Sequence, residues 1–523
     1  MTRCDVVVVG SGPNGLAAAV TLARAGLAVL VLEAQPTPGG GARTEPLGLA
    51  DGMTHDLCSA VHPLALASPF FQAFDLAGRG VELLQPEVAY AHPLDGGRGG
   101  IAYRDIERTA RGLGVDAGAW RALLGPLASA PAAVVSLALG DRRPGWPSAA
   151  IVPADAAGPA AAGADAGAAA ESAAQRNWRD VAREIARTAR VASHLGFAVA
   201  EQGSAAWGAR FSGETAPALL TGVAAHAITR LPSLAAAGTA LLLGSLAHAS
   251  GWPIPRGGSG AITAALLADL EAHGGQVRTG TAVRGGDLPP ARAYVFDTSA
   301  RMAAQILGDR MPAAARWALG RFRNGNAAAK VDFVLSGPVP WAHAEVGLAG
   351  TVHVGGSRAD MARAEHDVAR GRHAHRPMVL ASDPTVVDPG RASGGLRPLW
   401  TYAHVPAGSD VDPTEAITAQ IERFAPGFRD VVVASRAVTA QGMAAHNANY
   451  VGGDIAAGAV TPWQMVARPT PWLPPYGTGV EGAYLCSAST PPGPGVHGLG
   501  GWYAARRVLR NHFGIRDLPS LAP

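Results

Sequence analysis

The sequence predicts an α/β fold: a parallel-sheet domain interrupted by a second portion of mixed α+β character. Three observations predict it. A βαβ unit opens the chain, helix-and-strand segments of the same kind return later, and 523 residues exceed what one hydrophobic core usually supports. The expected boundaries are 1–78, 253–322 and 480–523 for the interrupted domain, and 79–252 and 323–479 for the portion inserted in it.

The opening unit carries the first chemistry. Val6-Val7-Val8-Val9 is a buried β-branched run that breaks at Gly10, an Ala-rich helix starts near Asn14, and Val29-Leu30-Val31-Leu32 ends on Glu33. Strand, helix, second strand and acid in that order make a nucleotide-binding unit. Gly10 permits the tight turn, Gly12 lets backbone approach a pyrophosphate, and Gly15 lets the helix pack close on the strand. The helix start at Pro13-Asn14 brings N–H donors and a positive dipole end. Glu33, followed by Ala34, is placed to accept from a ribose hydroxyl. Next comes Pro38-Gly39-Gly40-Gly41-Ala42-Arg43-Thr44 at the carboxyl end of the second strand, where open α/β sheets bind ligands. Gly40 and Gly41 suit close backbone approach, and Arg43 suits a phosphate charge.

Residues 54–74 read as a loop into an aromatic-bearing helix, with His55 and His62 as structural histidines. From about 80 to 147 short strands alternate with turns, with a hairpin at Leu94-Asp95-Gly96-Gly97-Arg98-Gly99-Gly100, before a return to helix. Residues 148–174 are almost entirely Ala, Gly, Pro and Asp, a low-complexity insertion or linker. Residues 175–250 carry helical periodicity and the very apolar run Ala235 to Ala247, which suits either core packing or the cover of an apolar tunnel.

Pro255-Arg256-Gly257-Gly258-Ser259-Gly260 then opens a helix, followed by a strand over Gln276–Val283, a strand Ala293–Phe296 ending on Asp297, and a strand from 327 to 337. From there to about 475, mixed strands, His-rich loops and Trp/Pro-rich segments follow. His343, His353, His366, His373 and His375 are irregularly spaced, which favours solvated loop histidines over metal ligands; no metal is expected. In the stretch from Gly482-Ala483-Tyr484-Leu485 through Cys486-Ser487-Ala488-Ser489-Thr490-Pro491-Pro492-Gly493-Pro494-Gly495-Val496-His497-Gly498, a buried strand breaks into a Gly/Pro loop and then a helix N-terminus, a second place for an anionic or electron-rich group.

Composition narrows the function. Forty-three basic residues against 40 acidic ones are scattered rather than blocked, so nucleic acid is not an expected partner. Cys4, Cys58 and Cys486 show no metal spacing and suit a reducing, cytoplasmic setting, as small core residues. An acid at position 5 and the early glycines argue against a targeting segment, and no apolar stretch reaches about 18 residues without Gly, Pro or charge. Trp463, Trp472, Pro474, Pro475 and Tyr476, with the apolar helix near Leu241, are the candidates for a peripheral membrane surface.

Together the two glycine clusters, His-Asp-Leu-Cys-Ser-Ala-Val-His-Pro, Pro-Arg-Gly-Gly-Ser-Gly-Ala, Gly-Gly-Asp-Ile and the Cys486–Gly498 loop resemble the phytoene-desaturase-related flavoproteins. More narrowly, they resemble the branch typified by the pyridine nucleotide-disulphide oxidoreductase domain-containing protein 2. The resemblance spans nearly the whole chain except the Ala/Gly insertion. It implies a glutathione-reductase-like Rossmann domain, discontinuous, with an inserted substrate domain, in the wider group that includes amine oxidases and carotenoid desaturases. It further implies FAD as cofactor and an oxidoreductase of desaturase or dehydrogenase type that accepts a hydride from a C–H bond of a largely apolar small molecule. A redox-silent isomerase and an amine-oxidase-like enzyme are the alternatives. Carried over by position, Gly10, Gly12 and Gly15 hold the pyrophosphate, and Glu33 the adenosine ribose. Gly40, Arg43 and Thr44 hold the flavin side of the diphosphate, and Val283 meets the adenine through its backbone. Ala488, Ser489, Val496 and His497 line the ribityl chain and the flavin's pyrimidine edge. Ala42 stands where many relatives have Arg, and Ser487 where many have Gly. Lys330, the only lysine in the chain, lies on the strand where amine oxidases of the wider group carry a lysine that holds water at the flavin N5. Lys330 is therefore the catalytic candidate.

Overall fold

The computed structural model describes residues 4–141, 166–471 and 474–523. Most of the low-complexity stretch and Trp472 lie outside the described residues; from Ala166 the chain is one helix to Gln202.

The first sheet is parallel, in the order Ala483–Leu485, Ala293–Phe296, Val6–Val9, Val29–Leu32, Gln276–Arg278. Three widely separated stretches of chain therefore share one sheet. Its central strands are Val/Leu runs buried on both faces, as a parallel sheet covered by helices on each side requires. The Gln276 strand stops at Arg278, so Val283 sits on the loop beyond it rather than on the strand the sequence suggests. The first and last helices, Pro13–Arg24 and Leu499–Phe513, pack directly: a Cβ on Gly501 would lie 1.7 Å from the Asn14 carbonyl oxygen, and the Gly500 N–H donates to Asn14 Oδ1 at 3.1 Å. Glycine is what lets the two ends of the chain meet at the start of the nucleotide helix.

The second sheet has seven strands in the order Val432–Val438, Ala327–Leu335, Arg397–Val405, Val379–Ser382, Ala349–Val354, Val88–Leu94, Arg98–Tyr103. It is mixed, with Ala349–Val354 parallel to Val88–Leu94 and every other pair antiparallel. The strands Val88–Leu94 and Arg98–Tyr103 are the hairpin expected around Leu94–Gly100. Alternation gives this sheet two unlike faces. Val331, Phe333, Val352, Val379, Ala381 and Leu399 pack on Ile417, Ile421, Phe424 and Phe428. The register places Thr351, His353, Leu380, Trp400, Tyr402, Lys330 and Asp332 on the other face. Helices Pro131–Leu139, Ala166–Gln202 and Leu234–Ala249 lie over that side. Leu234–Ala249 is apolar almost all round, the pattern of a helix buried on several sides.

Residues 54–74 form a short strand, Thr54–Asp56, and two helices, Pro63–Ala67 and Pro69–Phe74, rather than a loop and one helix. Pro69 explains the break, since it cannot supply the N–H a continuous helix needs. No single helix among the described residues is long and apolar enough to cross a membrane. Of the residues expected at a membrane surface, Trp463 is exposed and Leu241 and Tyr476 are buried, while Trp472 lies outside the described residues.

Candidate functional site: a dinucleotide cradle opening into an apolar chamber

A single cavity of about 830 Å³ runs from the tips of the parallel strands to the polar face of the second sheet. At one end its walls are Gly10, Ser11, Gly12, Pro13, Asn14, Glu33 and Ala34, then Gly40, Gly41 and Arg43, with Ala488 and Val496 across from them and Val283 nearby. Most of the residues expected to bind a dinucleotide thus converge from four parts of the chain.

The glycines are needed here for space. Gly10 has φ +96, and a Cβ there would lie 2.6 Å from the Asp297 carbonyl oxygen. On Gly12 it would meet Asp297 Oδ2 at 2.5 Å, and on Gly40, φ +56, the Gly12 backbone at 2.9 Å. Gly15 packs helix on strand, its would-be Cβ 2.3 Å from the Gly10 oxygen, and is not in the cavity wall. Glu33 is 8% exposed and accepts from the N–H and hydroxyl of Ser11 and from the N–H of Gln35. A carboxylate has about four lone-pair sites, so one remains for a ribose hydroxyl.

Four expected contacts are placed otherwise. Thr44 is not in the wall: its hydroxyl donates to Asp56 at 2.6 Å and accepts from the Gly260 N–H. Ser489 donates to the Ala457 carbonyl, and His497 is bound within its own loop to Gly493 O and Leu499 N, so both shape the loop from behind. Lys330 is 3% exposed, pairs with both oxygens of Asp332 on the same strand, and is not in the wall. Residues two apart on a strand share a face, which is why the pair forms. Burial pushes the Asp332 carboxyl up, but Lys330 and His55 together hold it below its ordinary value. Arg43 does line the cavity and touches Gly40 O and His446 Nε2, at 3.0 and 2.6 Å.

Two site residues escape a reading of the sequence. Asp297, at the end of strand Ala293–Phe296, accepts from the Gly15 N–H at 2.9 Å. Burial, with the Glu33 charge adding to it, raises its carboxyl to about 7. Its signal was a strand ending on an acid, the pattern of Glu33 repeated. Asn449 holds the turn after it, donating to Asp297 O and accepting from Ser299 N–H. Of the histidines expected in loops, His366, His373 and His375 are exposed, but His353 is fully buried on strand Ala349–Val354. Of the cysteines, Cys486 is a core residue, Cys58 lines the cavity beside Tyr450, and Cys4 is half-buried near the chain start.

Beyond the cradle the walls change. Val134, Leu195, Leu242, Leu243, Ile455 and Val460 replace the glycines, together with His226, Trp252, Thr351, Trp400 and Tyr402. The acids in the wall are Glu33 and Asp297, and its guanidinium is Arg43; all three belong to the cradle.

Residues 8–75 match the NAD(P)-binding Rossmann-like domain family. This segment holds both glycine clusters and Glu33. The chain is also similar to a pyridine nucleotide-disulfide oxidoreductase domain-containing protein 2 of Rattus norvegicus, 24% identical over 52% of this chain and 53% of the relative. It is 35% identical to a hydroxyneurosporene desaturase of Cereibacter sphaeroides over 22% of this chain and 23% of that one. The chain spans about half the length, or less, of the curated relatives it matches. Among solved structures, putrescine oxidase bound to putrescine has the same fold, with a TM-score of 0.55 at 15% identity, over 98% of this chain and 99% of the other. The resemblance to the phytoene-desaturase-related flavoproteins thus stands. A long cradle closed by glycines, with a buried acid at the ribose position and the C-terminal loop opposite, fits FAD.

Proposed function

We propose that this protein is an FAD-dependent oxidoreductase of desaturase or dehydrogenase type, which takes a hydride from a C–H bond of a largely apolar small molecule. One observation carries the reading: the dinucleotide cradle and an uncharged apolar chamber are one cavity. Bound FAD would supply the hydride acceptor. The chain's own residues do the rest. Gly10, Gly12 and Gly40 admit the diphosphate, Glu33 takes the ribose, and the aliphatic walls exclude water and align the substrate's C–H bond by shape. The uncharged chamber disfavours an ammonium substrate, since a buried charge without a partner is costly. The reading places substrate entry where Leu234 and Val466, both exposed, edge the cavity.

The test is anaerobic addition of terpenoid and fatty hydrocarbons to the yellow protein. Bleaching of the oxidised flavin spectrum by one of them is the expected outcome. A changed product geometry with unchanged absorbance would replace the reading with a redox-silent isomerase. Colourless protein that takes up no FAD would end it.

A further inference from the structure

The chamber wall holds a histidine, His226, and against it a fully buried one, His353, that the proposed hydride chemistry does not use. His226 lies in the 3₁₀ turn Ala225–Ala227, and Ile228 just after it has φ 46. A β-branched residue in the left-handed region costs on the order of 1–2 kcal/mol. Such strain persists only where its surroundings impose it, and it clusters at ligand sites. Both residues line the cavity. Across from the turn, His226 Nε2 lies 2.8 Å from His353 Nε2, the rings nearly perpendicular at 86°. Trp252 packs edge-on against both rings, and Tyr90 against His353, so neither imidazole is free to turn.

Burial holds both imidazoles neutral: His226 is lowered to about 3 and His353 lies well below its ordinary value, with His226 itself adding to the shift. A bond between two ring nitrogens needs one N–H and one lone pair, and each neutral ring has one of each. The tautomers follow from the other nitrogens. His353 Nδ1 is enclosed and bonds to nothing. An orphaned buried N–H is rarer and costlier than an orphaned acceptor, so His353 Nδ1 carries the lone pair and its Nε2–H donates to His226. His226 must then keep its proton on Nδ1. That atom is neither hydrogen-bonded to protein nor sealed among buried atoms, and the open space beside this residue is the cavity.

Two more polar atoms of wall residues, Thr351 Oγ1 and Trp400 Nε1, are buried without partners. Both sit on the polar face of the second sheet, Thr351 two positions from His353 on one strand. Both atoms are sealed from open space, unlike His226 Nδ1. The chamber wall, largely hydrocarbon but with the Tyr402 phenol in it, thus offers neutral polar groups and no charge.

We propose that the chamber recognises an apolar molecule bearing one neutral acceptor oxygen, a carbonyl, hydroxyl or ether, and that His226 donates its Nδ1–H to that oxygen. The proposal rests on the reading of the chamber as the substrate site, and adds a specificity-determining residue to it. His353 is a positioning residue that fixes the tautomer of His226.

The test uses the flavin-loaded protein and two probes of equal heavy-atom count, 2-undecanone and dodecane. Binding is read by quenching of tryptophan fluorescence, since Trp252 and Trp400 line the chamber. His226→Phe is expected to weaken the ketone about tenfold, the worth of one hydrogen bond, and to leave dodecane within about twofold. In the wild-type protein the carbonyl stretch of the bound ketone is expected to move to lower frequency than in hydrocarbon solvent. This second readout needs no variant to fold. An unshifted carbonyl band, or equal loss of both probes in His226→Phe, would overturn the assignment and leave the substrate reading intact. Failure of both probes to bind the yellow wild-type protein would overturn the substrate reading and the assignment together.

Discussion

The two ends of the cavity are built by opposite means. The cradle is made of backbone: Gly10, Gly12 and Gly40 contribute space, and the buried acids Glu33 and Asp297 are each held by main-chain N–H groups. The chamber is made of side chains, uncharged ones, brought in by strands and helices far apart in the sequence. A backbone cradle suits a cofactor whose shape never changes. A wall of side chains can be re-cut for a new substrate without touching the cradle, so the two ends can diverge separately.

The largest expected effect breaks the cradle at its far side. The strand Ala483–Leu485, the loop with Ala488 and Val496, and the helix seated on Asn14 all follow residue 480. Protein ending there is expected to lose FAD completely, read as flavin absorbance after gel filtration. A folded, yellow protein of that length would show that the N-terminal unit suffices and that the comparison of ends has been drawn in the wrong place.

This also shows why the sequence revealed one end and not the other. Gly10 through Thr44 is one continuous stretch whose order of strand, glycine turn, helix and acid has few other uses, so most of the cradle could be read directly. Asp297 reaches Gly15 across 282 residues and needed the strand order of the sheet. His226 and His353 are 127 residues apart, and neither carries a local signal. The Lys330–Asp332 pair was readable, because strand alternation puts both on one face, yet the analogy with amine oxidases drew attention to the lysine alone. Ser489 and His497 sit in the expected loop, but which side chains of a Gly/Pro loop face inward depends on backbone angles that composition does not specify.

Acid is expected to have the next largest effect, through buried histidines and a buried carboxyl that act with opposite sign. Burial lowers His62, His92, His248 and His497 to about 4 and His226 to about 3. Unfolded, each takes a proton near pH 6.5. Below that pH the unfolded chain binds more protons than the native one, so stability present above about 6.5 is lost as pH falls towards 4, on the order of 3 to 5 kcal/mol at full loss for each buried ring. Asp297 runs the other way. Its native carboxyl titrates near 7 against about 3.9 unfolded, so its contribution is full at low pH and lost as pH rises through 4 to 7. Five rings outweigh one carboxyl. Denaturant unfolding of the flavin-free protein should show stability falling steeply from pH 6.5 to 4.5. Asp297→Asn should gain stability at pH 7.5 and keep the acid limb. A flat profile between those pH values would mean the histidines are open to water in solution.

The smallest expected effect concerns a buried ion pair on the second sheet. Lys330 and Asp332 are both nearly fully buried and satisfy each other, with His55 Nδ1 3.4 Å from the carboxylate on the other side. Removing one partner of such a pair strands the other charge, which typically costs about 3–5 kcal/mol, whereas replacing both by apolar groups of similar volume is often neutral. Because His55 remains beside Asp332, Lys330→Met is expected at the lower end of that range. Lys330→Met combined with Asp332→Leu is expected to recover most of the loss. FAD content and the fluorescence titration with dodecane should be unchanged in both, since neither residue lines the cavity. The rate of flavin reduction decides between a structural pair and an active-site role. A rate that follows stability and recovers in the double variant fits a structural pair. A rate lower by about a hundredfold, the loss expected on deleting one polar contact in an active site, at unchanged stability and without recovery would return Lys330 to the chemistry and move the boundary between cradle and chamber to include it.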